Sequence, residues 1–176
     1  MKIIKMTLVN FQSYKQAEVY FDKINIIIGK NLDNPDASSN GAGKSVLVNN
    51  AIEFCLYGDV SGLTLNDLIN SNANNCEVGI ELEHNNKIYK IVRKIPTELE
   101  IYENNKLIEF NTIPLKKKFI NDIFGDHDYF KRFRSINVSE GINLLEYCKD
   151  TRSLITLKKI LMDFIENEYN NIRNKL

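Results

Sequence analysis

The residues best suited to chemistry lie in one polar stretch, Gly29-Lys30 through Asn40-Gly41-Ala42-Gly43-Lys44-Ser45-Val46. Glycines let backbone N–H groups approach an anion with no Cβ in the way, and a helix that opens at Lys44 adds a favourable dipole. A lysine there can bridge the β- and γ-phosphates of a nucleoside triphosphate as a point charge. A serine next to it can offer its hydroxyl to Mg²⁺. The chemistry is therefore triphosphate binding through a phosphate loop.

The strict spacing G-x-x-x-x-G-K-[ST] puts Ser38 where the first glycine belongs. An insertion repairs it. Joining Gly29-Lys30 to Asn40-Gly41-Ala42-Gly43-Lys44-Ser45 gives G-x-N-G-A-G-K-S, with residues 31–39 looped out. A polar bulge at that point costs little closure entropy.

Such a loop must hang between a strand and a helix. Ile24-Asn25-Ile26-Ile27-Ile28 is nearly all β-branched and predicts a strand buried on both faces. After the loop, Val46, Leu47, Ala51, Ile52 and Cys55 form one apolar helical face, which Gly58 closes. Met1 to Val9 and Ala17 to Phe21 read as further strands. Cys76–His84 and Lys87–Ile95 alternate around Asn85-Asn86, a hairpin signal, and a second hairpin is predicted around Asn104-Asn105, from Leu99 to Phe110. Pro114 suits the first position of a helix over Leu115–Phe124. From Thr151 the residues Leu161, Ile165, Tyr169, Ile172 and Leu176 make one stripe. A helix of that length reaches about 39 Å, more than a compact domain needs, which favours the root of a coiled coil over a terminal helix packed on the core. The domain reading is 1–150 for a head lobe and 151–176 for that root.

Composition narrows the class. The 176 residues are 43% hydrophobic and 26% charged, enough for a buried core, with 23 basic and 23 acidic residues balancing to zero. Zero net charge argues against a protein that coats nucleic acid by global charge. Lys116-Lys117-Lys118 and Lys131, Arg132 and Arg134 are local basic clusters, read either as solvated faces or as contacts to DNA phosphates. Cys55, Cys76 and Cys148 are far apart and odd in number, as expected of reduced thiols in a cytosolic protein, and His84 and His127 make no zinc pattern. No apolar run approaches a membrane span, and Lys5 and Asn10 break any signal-peptide core. The expected location is cytoplasmic, or associated with a phage or host nucleoid.

Beyond the loop, the order of segments carries a resemblance. Lys2 to Tyr14, with Asn10-Phe11-Gln12-Ser13-Tyr14, resembles the opening of SMC-like ATPases, closest to the SbcC-type double-strand-break repair ATPases and their phage recombination counterparts. The same likeness runs through the phosphate loop, the helix ending Leu56-Tyr57-Gly58, Asp67 to Ser71, the hairpin end Tyr89-x-Ile91-x-Arg93, and Phe133 to Gly141, which is similar to a Q-loop. It implies an α/β fold, the head lobe of a P-loop ABC/SMC-type ATPase, with a mixed sheet, β-hairpins and a C-terminal helix starting a coiled coil.

The resemblance implies ATP and Mg²⁺ as cofactors. Asn40 to Val46 wrap the triphosphate, Gln12 and Ser13 contact the nucleotide, Asn70 and Ser71 lie toward the base or ribose, and Ser45 holds the metal. Glu140 stands where the family has a glutamine that senses Mg²⁺ and the γ-phosphate; either that coupling is altered or the register differs, and a surface glutamate before Gly141 is the plain alternative. The family's hydrolytic carboxylate and Ser-Gly-Gly signature are missing from this sequence. The expected chain is the N-terminal half of a head that does not turn over ATP alone. The implied partners are the C-terminal half of that head, a second head, an SbcD-type nuclease subunit and DNA, with no membrane. Two other readings stand beside it, a RecF-like or defence ATPase with a different effector, and a nucleotide-gated scaffold.

Overall fold

A computed structural model describes residues 2–30, 42–96, 98–128, 130 and 162. The elements named below all lie in the compact unit Met1–Lys131. The expectations for residues 31–39, Asn40, Gly41, the Q-loop with Glu140, the Lys131–Arg134 cluster and the coiled-coil root fall outside the described residues.

Six strands form one sheet in the order β2-β1-β3-β4-β5-β6. They are β1 (Lys2–Phe11), β2 (Tyr14–Tyr20), β3 (Cys76–His84), β4 (Lys87–Ile95), β5 (Glu98–Glu103) and β6 (Lys106–Leu107). Every pairing among them is antiparallel. The expected mixed sheet is therefore corrected among the described residues. For β1–β2, β3–β4, β4–β5 and β5–β6 the reason is local: each pair is joined by a short hairpin, which antiparallel pairing permits and parallel pairing does not, whereas β1 meets β3 across the long connection from Tyr20 to Cys76. The central residues of two turns are asparagines at positive φ, Asn85 and Asn86 at 50° and 60°, and Asn104 and Asn105 at 48° and 64°. Asparagine tolerates that left-handed geometry, which matches the strand twist. The second hairpin is shorter than expected. Only Lys106–Leu107 pairs with β5, and the chain bends away so that Phe110 packs on Phe119 at 5.2 Å.

One face of the sheet holds the core. Met6 and Leu8 of β1, Val78, Ile80 and Leu82 of β3, Ile91 of β4 and Leu99 and Ile101 of β5 are buried there, at alternate positions as the pleat requires. Two helices cover this face. From Lys44 the chain is helical: residues 44–45 are α, Val46–Asn50 form a π turn, and α1 (Ala51–Tyr57) follows. It buries Leu47, Ala51, Phe54, Cys55 and Leu56, with the Phe54 ring stacked on Phe11 at 5.4 Å. Helix α3 (Ile113–Phe124), with proline in its first turn as expected, buries Ile120 and Phe124. Between them α2 (Leu65–Leu68) is a single turn closed by a Thr64–Asp67 capping box.

Lys23–Ile28 departs from expectation. The segment bends at Lys23–Ile24 and joins no strand ladder among the described residues, and Ile24, Ile26 and Ile28 are 84–86% exposed. Only Ile27 packs on the core. A strand buried on both faces needs a neighbour on each side, and the described part of the chain supplies none.

Candidate functional site

The site is assembled by three loops that converge on the start of the Lys44 helix. The strand β1 ends at Phe11 and turns sharply through Gln12, which sits at φ 48°, into β2. That strained turn is held from below. The Gln12 N–H donates to Leu68 O at 2.9 Å, and Asn70 Nδ2 donates to Gln12 O at 2.6 Å. The Asn70 N–H also donates to Asn10 O at 2.8 Å.

The turn packs against the phosphate loop. Gly43 has φ 77°, and a Cβ there would stand 2.8 Å from Ser13 Oγ and 3.2 Å from the Tyr14 ring. Only glycine fits both the left-handed backbone and the close approach. Its carbonyl accepts from Tyr14 Oη at 3.1 Å and from the Leu47 N–H at 3.2 Å. Burial raises the Tyr14 phenol above its ordinary range, so it remains a donor at neutral pH.

Gly29 supplies the other wall. A Cβ on it would stand 2.7 Å from Ala42 Cβ and 3.0 Å from Lys44 Nζ. The glycine expected from the spliced motif is thus brought against Ala42 and Lys44, across the span 31–41. Lys44 is half-buried and Ser45 exposed, and the Ser45 side chain makes no capping bond to its helix. The described residues hold no ready-made cluster of three or more His, Cys, Asp and Glu for a metal. A single serine hydroxyl is instead the donor set of a Mg²⁺ that keeps its waters and phosphate ligands, and Ser45 fits that role. The glycine cradle around Lys44 fits a triphosphate.

Gln12, Ser13, Gly29, Ala42, Gly43 and Lys44 are therefore brought together, with Ser45 and Val46 continuing the helix. Asn70 is placed differently from the expectation. It is 8% exposed, and its side chain is spent on Gln12 O and on the Asn72 N–H at 3.1 Å. It shapes the turn that presents Gln12. Ser71 is exposed on the loop after it. Tyr14, Asn50 and Arg93 were not read as site residues from the sequence. Nothing in the apolar pattern marked Asn50, because Leu47 to Ala51 is an ordinary four-residue helical step.

The far end of the same helix is fixed by a buried cation. Arg93, 5% exposed on β4, donates from Nε to Cys55 O and from Nη2 to Leu56 O, each at 3.0 Å. These are two of the carbonyls a helix leaves unsatisfied at its C-terminus. Gly58, left-handed at φ 78°, makes room, since a Cβ there would stand 2.8 Å from Arg93 Nη1. The Cys55 thiol, pushed up to about 12 by burial, stays protonated and lies 3.3 Å from Ile91 O and 3.4 Å from Val78 O. Glu53 meets His127 Nε2 at 2.6 Å, and the His127 ring stacks on Tyr57 at 4.8 Å.

Gly29→Ala is expected to weaken Mg-ATP binding roughly tenfold, because Ala42 Cβ cannot retreat without moving the loop backbone. Titration with a fluorescent ATP analogue reads the change. Unchanged affinity would show that Gly29 is not a wall of the site.

A lysine walled by glycines at the start of a helix, seated on a sheet, defines the P-loop class of nucleotide-binding α/β proteins. Within that class the chain belongs to the AAA domain family, whose description matches residues 5–176. It is 28% identical, over 99% of its length, to the DNA double-strand break repair Rad50 ATPase of Thermoplasma acidophilum, and 30% identical, over 92%, to that of Methanocaldococcus jannaschii. The chain spans 20% and 15% of those two relatives. The DNA replication and repair protein RecF of Clostridioides difficile is 28% identical over 72% of the chain and 30% of its own length. A solved chain from work on ATP-driven dimerization and DNA-stimulated activation of SMC ATPases shares the fold. Its TM-score is 0.55 at 18% identity, covering 94% of this chain and 99% of that one. The chain is thus similar in sequence to Rad50 ATPases and shares its fold with an SMC ATPase chain. No helix among the described residues is long and apolar enough to cross a membrane.

Proposed function

We propose that this chain is the ATP-binding lobe of a DNA-repair ATPase head that acts with a nuclease subunit on DNA ends. The observation that carries the reading is the convergence of Gly29 and Gly43 on the start of the Lys44 helix. Gly43 and Lys44 present backbone donors and a cation to the triphosphate, and Ser45 holds Mg²⁺. Bound Mg²⁺ neutralises phosphate charge, while the chain's own residues position the nucleotide. Glu140 joins the metal only if the Q-loop register holds.

The head is completed by other polypeptide segments. The support is the Ile24–Ile28 segment, which lies directly before Gly29 and exposes three isoleucines. A strand laid beside it would remove that apolar surface from water and give its backbone a partner. The C-terminal half of the same head is the partner this reading names, with a second head closing over the nucleotide. The chain alone then binds ATP without turning it over.

Ile26→Asp tests the completion. The 176-residue chain should keep its stability within about 0.5 kcal/mol, since the site is on the surface. The native full-length protein should lose its ATPase activity. Full activity in that variant would rule out a strand neighbour at Ile26. Co-purification of a metal-dependent nuclease with the native protein tests the partner; its absence, with a different effector in its place, favours the RecF-like reading that the Clostridioides difficile relative supports.

A further inference from the structure

The helix that carries Lys44 and Ser45 is irregular where regularity would be easiest. In the π turn Val46–Asn50 the Ala51 N–H donates to Val46 O, five residues back instead of four. One extra residue turns everything before it by about 100° relative to the rest of the helix. Such single-turn expansions are rare and recur at functional sites. Here the expansion has a visible result. It leaves Leu47, Ala51, Phe54 and Cys55 in the core and brings the half-buried Asn50 to the Gln12 turn, where Asn50 Nδ2 donates to Gln12 Oε1 at 3.1 Å.

Gln12 is then fixed at both ends. Its backbone is tied to Leu68 and Asn70, and its side-chain carbonyl is occupied by Asn50. Among the described residues its Nε2 has no hydrogen-bond partner. What the residue offers a ligand is therefore an amide NH₂, a donor of two hydrogen bonds. The opposite orientation would offer a carbonyl oxygen, which repels phosphate. The neighbouring Ser13 already lies against Gly43.

We propose that Asn50, delivered by the π turn, is a positioning residue that orients the Gln12 amide so that its NH₂ donates to a phosphate oxygen of the bound nucleotide. This rests on the reading of Gly29 to Ser45 as a triphosphate site.

The test is Mg-ATP titration of the native full-length protein carrying Gln12→Ala, Asn50→Ala, both together, Asn50→Asp and Lys44→Ala. Gln12→Ala is expected to weaken binding roughly tenfold and Asn50→Ala about fivefold, from the loss of a hydrogen bond to a charged group and of the bond that aims it. The double variant should match Gln12→Ala alone. Asn50→Asp should bind no better than Gln12→Ala, because a carboxylate accepts from Nε2 and turns the Gln12 carbonyl toward the phosphates. A purely structural role for Asn50 would not tell aspartate from alanine in this way. Additive losses, or Asn50→Asp binding as well as Asn50→Ala, would overturn the proposal. If Asn50→Ala does not fold, Asn50→Ser takes its place, and failure of every Asn50 variant to fold also overturns it. Normal affinity in Lys44→Ala would instead overturn the triphosphate site itself.

Discussion

Replacement of Lys44 by alanine is expected to abolish Mg-ATP binding while leaving the fold intact. Lys44 opens the helix beside Gly29, and its Nζ would lie only 3.0 Å from a Cβ placed on that glycine. The side chain is half-buried at the mouth of the site and contributes nothing to the core clustered around Phe54. A charge-assisted bond to phosphate is worth about 1.5–3 kcal/mol, and a cation facing two phosphates makes more than one. The loss should therefore exceed roughly thirtyfold in affinity, with the melting temperature unchanged. Calorimetric titration with Mg-ATP measures it. Retained affinity would remove the phosphate loop from the site, whatever the sequence pattern suggests.

Arg93→Met is expected to be strongly destabilising. Methionine keeps much of the volume but leaves Cys55 O and Leu56 O without donors, buried where water does not reach. Each orphaned carbonyl costs about 1–3 kcal/mol. A total near 3 kcal/mol corresponds to a fall of roughly 6–12 °C in melting temperature for a chain of this size. Arg93→Lys should recover little, because one ammonium cannot match the planar fork that spans two successive carbonyls. Differential scanning calorimetry of the 176-residue chain reads both variants. A drop under about 2 °C would show that the helix end is satisfied in another way. Because Arg93 holds the far end of the helix that begins at Lys44, a stable variant with weakened nucleotide binding would show the strain passing along that helix.

How much of this was legible in the sequence depended on the range of the interaction. The hairpins were read from Asn85-Asn86 and Asn104-Asn105, whose side chains tolerate the positive φ their turns require. Gly58 as a helix stop and Pro114 as a helix start are equally local and were equally plain. The splice from Gly29 to Asn40 was inferred from motif spacing, and the approach of Gly29 to Ala42 and Lys44 agrees with it. What the sequence hid were consequences of tertiary partners. Ile24 to Ile28 read as a buried strand because periodicity reports which residues want burial, not whether a neighbour is present. Asn70 read as a ligand because a polar residue near a motif gives no hint that its amide is spent on the backbone of Gln12. Arg93 closed a hairpin motif, and nothing in the pattern said that its guanidinium would cap a helix thirty-odd residues earlier in the chain. Asn50 was equally hidden, because Leu47, Ala51 and Cys55 step by four residues and conceal the π turn between them.

The most direct test of the central claim is hydrogen exchange of the native full-length protein, read by mass spectrometry with and without saturating Mg-ATP. Nucleotide-dependent protection is expected in peptides covering residues 42–47 and residues 12–14, where backbone amides and the Gln12 turn meet the triphosphate. Protection confined to other segments, or no change at saturating nucleotide, would contradict that claim.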